Sequence, residues 1–199
     1  MKILWKIFWE ETEFKRQIAH FAFGIFYAAL FYVGLMDAKV SAILFLGSIA
    51  FSLFLKRRRK FVDKLVLLLE RQKDLYEIPL KGLIFFLLGA TLTISLFEFV
   101  PAMCGILVLA ISDSIGTLYG KYLGVVKIRW NPDKHMEGPI LGGLVAAVAL
   151  AGFVPLPAAL MGAYCGAFLD TLKLRIFGFT IDDNLLIPLV SAGVVSLMI

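Results

Sequence analysis

A stretch near the middle of the chain, ISDSIGTLYGKYLG at 111–124, combines residue types that could hold a metal ion and a phosphate chain. The residues that recur there at helical spacing and share one face are Asp113, Gly116 or Thr117, Gly120 and Lys121. A carboxylate suits Mg²⁺, glycines expose bare backbone to a phosphate chain, and a lysine neutralises its charge. The alternative is an aspartate paired with a lysine in a packed bundle, where the glycines serve close helix contact.

A second polar stretch, EFKRQIAHFAFG at 13–24, places Arg16 and His20 four residues apart and therefore on one helix face. Such a pair could clamp an anion through the arginine and take up or donate a proton through the histidine. The alternative is an arginine that reaches for the membrane surface beside a structural histidine. The spacing alone leaves both interpretations open.

Acidic residues recur in the last third of the chain. Asp182, Asp183 and Asn184 could ligate a metal, or Asp183 could cap the final helix. Further polar candidates are Lys134, Glu137 and Asp170. The chain has no GxxxxGK[ST], HRD, DFG, HExxH or GxSxG pattern, which excludes a standard phosphate loop and the common kinase and hydrolase motifs.

The composition predicts that these groups belong to a membrane protein. Hydrophobic residues make up 60% of the 199 positions, charged residues 18%, and the mean hydropathy is +0.88. A soluble domain has about 45–50% hydrophobic residues and about 25% charged residues. We therefore expect an all-α fold, a polytopic membrane helix bundle that forms one integral membrane domain over 1–199. About seven transmembrane helices are predicted, from apolar runs at about 18–36, 39–55, 78–97, 99–119, 138–154, 155–172 and 184–199.

The basic residues predict the orientation of this bundle. With the N-terminus in the cytoplasm, all but one of the 20 lysines and arginines fall on the cytoplasmic side, Lys39 being the exception. The interfacial segment 1–17 and the loops 56–77 and 120–137 are then cytoplasmic, and the run KRRRK at 56–60 marks topology rather than nucleic-acid binding. The candidate polar groups are then all expected to face the cytoplasm. The protein itself is expected in the cell membrane if it is prokaryotic and in the endoplasmic reticulum if it is eukaryotic.

Four motifs in order along the chain resemble those of the CTP-dependent lipid-alcohol kinases, the group of dolichol, polyprenol and phytol kinases and CTP-dependent diacylglycerol kinase. EFKRQIAHFAFG resembles the family signature E-x-[KR]-R-K-x-x-H-x-x-x-G, and LAISDSIGTLYGKYLGVVKI at 109–128 resembles D-x-x-A-x-x-x-G-x-x-x-G-K. KHMEG at 134–138 resembles K-[ST]-x-E-G, and DDNLLIPL at 182–189 is similar to D-[DN]-N-x-x-[IV]-P. The chain departs from these patterns at Gln17, where lysine is usual, at 114–116, where an alanine-containing run is usual, and at His135, where serine or threonine is usual.

The resemblance implies transfer of the γ-phosphate of CTP, with Mg²⁺, to the hydroxyl of a membrane-embedded lipid alcohol, dolichol or polyprenol being the first expectation. The implied catalytic residues are Arg16, His20, Asp113 and Lys121. The implied nucleotide-binding residues are Gly116, Thr117, Gly120, Lys121, Lys134, Glu137 and Gly138. The implied metal ligands are Asp113, Glu137, Asp182 and Asp183. Asp170 and Asn184 are further candidate site residues. Small-residue pairs such as Gly162 and Gly166 would permit a homodimer.

Two other functions stay open at this point. A CTP-dependent phospholipid cytidylyltransferase would use the same nucleotide and metal but release pyrophosphate instead of CDP, and the Arg16 and His20 signature favours the kinase. A small transporter would place polar groups along a path across the bilayer and could carry an inverted repeat. The sequence has neither feature.

Overall fold

The computed structural model describes residues 12–57, 78–172, 174–176 and 179–199. The helices are α1 (Thr12–Tyr32), α2 (Ala38–Arg57), α3 (Lys81–Leu96), α4 (Phe99–Leu123), α5 (Glu137–Leu150), α6 (Leu156–Leu169) and α7 (Asp183–Met198). The strands β1 (Lys127–Ile128) and β2 (Asn131–His135) pair antiparallel, as do β3 (Arg175–Ile176) and β4 (Phe179–Thr180). The predicted helical fold class is confirmed.

The seven apolar runs correspond to the seven helices of the described residues, with ends that differ by a few residues. The largest difference is at α1, which begins at Thr12 and so includes part of the segment 1–17 that was expected to lie at the interface. The segment 120–137, expected to be a loop, instead contains the end of α4 and the β1–β2 hairpin. Residues 1–11 and 58–77 of the predicted cytoplasmic segments lie outside the described residues.

Helix α4 is the centre of the bundle, and its packing explains why the segment is apolar on every side. Every residue from 101 to 114 is buried, because α1, α5, α6 and α7 all pack against this helix. Small residues let the backbones approach: a Cβ on Gly142 of α5 would lie 2.5 Å from the Ser112 carbonyl oxygen. The α-helix widens into one π-helical turn over Leu109–Asp113 and then continues.

Helix α2 has the reverse of the usual amphipathic pattern. Its buried residues are three serines and one leucine: Ser41, Ser48, Ser52 and Leu55. Its exposed residues include many large apolar side chains, among them Ile43, Leu46, Phe51, Leu53 and Phe54. Two of the serines bond to neighbouring segments: the Ser41 hydroxyl lies 2.5 Å from Tyr27 Oη and 2.6 Å from Thr91 Oγ1, and the Ser52 hydroxyl donates to the Pro79 carbonyl at 2.5 Å. A surface helix of a soluble protein places its polar residues toward water. The exposed surface of α2 is instead largely apolar, which is unfavourable in water.

Two of the described helices, α2 and α4, are long and apolar enough to cross a membrane. Helices α3, α5, α6 and α7 are also apolar but have 16, 14, 14 and 16 residues, fewer than the roughly 20 that a perpendicular span uses. The helix lengths therefore support two crossings directly, and the predicted seven are not established by length.

Candidate active site

The π-helical turn of α4 ends at Asp113, which is buried among the neighbouring helices. Such a turn inserts an extra residue into a helix and is frequent at functional sites because it redirects side chains. The Asp113 side chain is largely buried and accepts a hydrogen bond from Thr117 Oγ1 at 3.3 Å. His20 Nε2 on α1 lies 3.5 Å from Asp113 Oδ2. Asp113 and His20, predicted from separate motifs, therefore meet in the structure.

Three carboxylates converge at this point. Asp113 comes from α4, Asp170 from the C-terminal end of α6 and Asp183 from the first residue of α7. One carboxylate oxygen from each lies within 4.8 Å of the others. Like charges this close disfavour one another when water is excluded. A cation, a shared proton or both must offset the repulsion, and we call these three residues the carboxylate cluster.

The start of α7 separates two adjacent aspartates into different roles. Asp182 is the N-cap: its Oδ1 accepts the Asn184 backbone N–H at 3.2 Å and the Asn184 side-chain Nδ2 at 2.9 Å. Its other oxygen lies 4.0 Å from Lys81 Nζ. Burial, and then the neighbouring Asp183 carboxylate, raise the pKa of Asp182 to about 7. Asp183 turns to the carboxylate cluster instead, so the helix cap is supplied by the residue before it.

The β1–β2 hairpin brings a lysine to the carboxylate cluster. Lys134 Nζ pairs with the Asp170 carboxylate and donates to the Asp170 carbonyl at 2.7 Å. The hairpin docks on the same end of α6: Asn131 Nδ2 donates to the Thr171 carbonyl at 3.0 Å, and Trp130 Nε1 lies 3.3 Å from Thr171 Oγ1. Burial lowers the pKa of Lys134, but the nearby carboxylates, Asp170 first, outweigh it and raise that pKa above its ordinary value. Lys134 is therefore a fixed positive charge at the site.

Helix α1 adds a row of polar side chains on the face that packs against the π-helical turn. Arg16 Nη2 donates to Glu13 Oε1 at 2.5 Å, and Gln17 Nε2 donates to the same oxygen at 3.3 Å. Asp113 and Asp183 are close enough to act on the charge of Arg16. Three buried atoms of this row, Arg16 Nε, Gln17 Oε1 and His20 Nε2, have no hydrogen-bond partner among the described residues. Buried polar atoms are usually satisfied, so this face is suited to a polar ligand.

Several predicted site residues lie elsewhere. The Glu137 carboxylate accepts the Val125 and Val126 amides at 3.0 and 2.9 Å, which closes the turn between α4 and the hairpin. Lys121 is exposed, with its ammonium 5.3 Å from the Tyr122 ring centroid. Neither reaches the carboxylate cluster, and Asp182 faces Lys81 instead.

The glycines of the central motif pack against another helix. A Cβ on Gly116 would lie 3.0 Å from the Gly138 carbonyl oxygen, and a Cβ on Gly138 would lie 2.6 Å from the Gly116 carbonyl oxygen. Gly120 faces the same contact, 3.4 Å from the Gly138 Cα. The backbone of Gly116, Gly120 and Gly138 therefore makes a close helix contact, which is the alternative interpretation of the motif.

Sequence reasoning gave Asp170 too little weight and did not consider Glu13 or Thr171. Asp170 was named only as a further candidate, although it is a member of the carboxylate cluster. Glu13 was detectable, because it stands three and four residues before Arg16 and Gln17 on one helix face. Thr171 acts through a tertiary contact with the hairpin, for which the sequence has no local signal.

Comparison of the chain with models of protein families, with curated proteins and with solved structures finds no match.

Proposed function

We propose that this protein is a multi-pass membrane kinase that transfers the γ-phosphate of CTP to the hydroxyl of a lipid alcohol, with dolichol or polyprenol as the first candidate. The observation that carries the proposal is the convergence of three carboxylates with Lys134, Arg16 and His20 at one end of an apolar helix bundle. Phosphoryl transfer needs little covalent chemistry from a protein; it needs cations, positioned charges and a place for the nucleophile.

The surface of the bundle supports a membrane location with several crossings. Exposed large apolar residues occur on every described helix, including Phe26 of α1, Leu144 of α5, Met161 of α6 and Leu197 of α7. Together with the inverted pattern of α2, this surface matches hydrocarbon better than water. The short helices would cross with bilayer thinning or with flanking residues that reach the interface. The distribution of lysine and arginine supports a cytoplasmic N-terminus and a cytoplasmic site.

The carboxylate cluster fits a divalent cation. All three donors are oxygens, which hard cations prefer, and the oxygens lie within 4.8 Å of one another. Octahedral Mg²⁺ with ligands at roughly 2.0–2.1 Å has opposite ligands about 4.2 Å apart and adjacent ligands about 2.9 Å apart, so the three oxygens would draw together around a bound ion. Asp113, Asp170 and Asp183 would hold the ion, which when bound neutralises charge on the triphosphate.

Two basic residues share one task in this proposal. Lys134 is held at the cluster by Asp170, and Arg16 is held beside it by Glu13. Both would stabilise negative charge on the transferring phosphoryl group and on the CDP that leaves. Lys121 is too exposed to share this role, so we assign the role of the implied motif lysine to Lys134.

His20 is the candidate base. The Leu109 carbonyl is a hydrogen-bond acceptor for its ring, and Nε2 has no hydrogen-bond partner among the described residues, which leaves that nitrogen to accept a proton. In the reaction the alcohol oxygen bonds to the γ-phosphorus of CTP and the bond to the β–γ bridging oxygen breaks. CDP leaves with that electron pair, and the alcohol proton passes to His20.

The experiment that tests the proposal identifies the nucleotide product. Purified protein in detergent is incubated with CTP, Mg²⁺ and dolichol, polyprenol, phytol, geranylgeraniol or diacylglycerol, and CDP and pyrophosphate are both quantified. CDP formed only with a lipid alcohol supports the kinase, and Asp113→Asn should abolish it while Asp182→Asn retains it. Pyrophosphate with a phospholipid acceptor would replace the kinase by the cytidylyltransferase. No CTP consumption with any acceptor would refute both enzymes.

A further inference from the structure

A groove lies between the C-terminal end of α2 and the N-terminal end of α3. Its walls are apolar, formed by Ile49 and Leu53 of α2 and by Ile84 and Phe85 of α3, and Lys56 and Lys81 stand at one end. Lys56 is seven residues from Ile49, so the α2 wall is about 10 Å long at 1.5 Å per residue. We call this feature the α2–α3 groove.

The two lysines indicate the depth of the groove in a membrane. Lysines at the ends of apolar helices extend their ammonium groups to the headgroup level and keep their stems along apolar surface. The walls beyond Lys56 and Lys81 would then lie at hydrocarbon depth. A water-soluble ligand does not enter at that depth, so the occupant that fits is an amphipathic lipid with its polar end at the lysines.

A strained turn fixes Lys81 at the end of the groove. Leu80, which precedes it, has a positive φ of 62°, a conformation uncommon for a residue other than glycine. The Ser52 hydroxyl donates to the Pro79 carbonyl at 2.5 Å and anchors this turn to α2. Strain of this kind persists where the surrounding structure holds it, and it is concentrated at functional sites. The turn therefore holds Lys81 at the end of the groove.

Lys81 links the groove to the carboxylate cluster. Its ammonium lies 5.9 Å from the Phe85 ring centroid in the groove wall and 4.0 Å from the Asp182 carboxylate. Asp182 is the residue before Asp183 of the cluster. On the same helix, Phe86 contacts the other side of the site, with its ring centroid 5.5 Å from that of His20. Lys81 thus stands between the apolar wall of the groove and Asp182, next to the carboxylate cluster.

From these contacts we propose that the α2–α3 groove binds the part of the lipid alcohol nearest its hydroxyl, with Lys81 at the hydroxyl end. This inference rests on the proposed function and names where its acceptor lies. Because the groove is short, the rest of a long chain stays in the bilayer. The enzyme then selects alcohols by their structure near the hydroxyl and is insensitive to chain length beyond the groove.

Tryptophan substitutions test the groove by filling it. Leu53→Trp and Ile84→Trp should raise the KM for the lipid alcohol by roughly tenfold or more, the scale of a lost hydrophobic fit, while the KM for CTP stays within about twofold. Leu46→Trp is the matched control, because Leu46 is on the same helix, is 62% exposed and does not line the groove. An equal effect of Leu46→Trp, or a CTP KM that rises in parallel, would overturn the proposal.

Photo-crosslinking gives an independent test on the unaltered protein. A lipid alcohol with a diazirine close to its hydroxyl should label α2 and α3 residues of the groove, and unlabelled alcohol should compete. Labelling at another surface, such as the apolar face of α4 formed by Ile115, Tyr119 and Tyr122, overturns the groove even if CTP turnover is found. If the groove is labelled, unlabelled alcohol competes and no CTP is turned over, the lipid site is supported and the kinase proposal is refuted. The two proposals can therefore be refuted independently.

Discussion

Replacing Asp170 by asparagine distinguishes a metal site from a structural ion pair, because the two predict opposite changes in stability. The Asp170 carboxylate pairs with Lys134 and lies within 4.8 Å of the Asp113 and Asp183 carboxylates. If the pair with Lys134 held the fold together, its loss would cost about 3–5 kcal/mol of unfolding free energy. If the cluster exists to bind a cation, the metal-free protein contains uncompensated repulsion, and Asp170→Asn relieves it.

The geometry gives the size of this relief. Two unit negative charges 4.8 Å apart repel by about 3.5 kcal/mol at an effective dielectric constant of about 20, and Asp170 has two such neighbours. The attraction to one ammonium at about 4 Å between charge centres is about 4 kcal/mol at the same dielectric constant. An asparagine oxygen still accepts a hydrogen bond from Lys134. Protonation of the cluster reduces the repulsion in the wild-type protein. We therefore expect the unfolding free energy of the metal-free variant to exceed that of wild type by about 1–2 kcal/mol, which corresponds to about 2–8 °C in melting temperature.

The assay is thermal unfolding in detergent, with EDTA or with Mg²⁺. The wild-type protein should melt at a higher temperature in Mg²⁺ than in EDTA, because an ion that binds only the folded state stabilises it. Asp170→Asn should melt no lower than wild type in EDTA and should not respond to Mg²⁺. Asp182→Asn, which keeps a capping oxygen, should retain the response. A variant that melts well below wild type in EDTA, or that still responds to Mg²⁺, would refute the reasoning.

Three further predictions follow from the same contacts. Gly142→Ala should lower the unfolding free energy by about 1–3 kcal/mol, because its Cβ would meet the α4 backbone. The control Gly47→Ala, which has open space around it, should be neutral or stabilising by up to about 1 kcal/mol in the same melting assay. Equal losses of stability in the two variants would contradict the packing of α5 on α4. Lys134→Gln should lower kcat by about 10–100-fold, which is the effect of losing one charge-assisted hydrogen bond. Lys121→Gln should leave kcat nearly unchanged. A larger effect at Lys121 would assign the phosphate-stabilising role to Lys121 instead of Lys134. His20→Gln should lower kcat by about 10²–10⁴-fold and remove the fall in rate at acid pH that comes from protonating the base; a retained acid limb would assign the base elsewhere.

The helices were predictable because their signal is local. Each apolar run is bounded by charged residues, proline or glycine, and the structure ends its helices within a few residues of those boundaries. The β1–β2 hairpin was not predicted, because KIRWNPDKH at 127–135 has no apolar alternation. Its position depends on contacts of Trp130 and Asn131 with Thr171, about 40 residues further along the chain, and on the Glu137 carboxylate at its base.

The candidate site was predictable in part for the same reason. Asp113 and His20 stand in apolar helical runs, where an ionisable side chain is costly and therefore conspicuous. Asp182 and Asp183 could not be told apart, since either can cap a helix and only the packing of α7 decides which one turns inward. Asp170 joins the carboxylate cluster because the C-terminal end of α6 packs against α4, a tertiary contact that the sequence does not indicate. The glycines around Asp113 fitted a phosphate site and a helix contact equally well until the position of α5 was known.

In the proposed reaction, the carboxylate cluster and its cations transfer the γ-phosphate of CTP to a lipid alcohol. Two parallel incubations test this reaction, each with purified protein, Mg²⁺ and dolichol or polyprenol, one with CTP labelled at the γ-phosphorus and the other with CTP labelled at the α-phosphorus. We expect the γ-label to enter the lipid, the α-label to stay in CDP, and Asp113→Asn to abolish the transfer. Entry of the α-label into a lipid, or undiminished γ-transfer by Asp113→Asn, would contradict it.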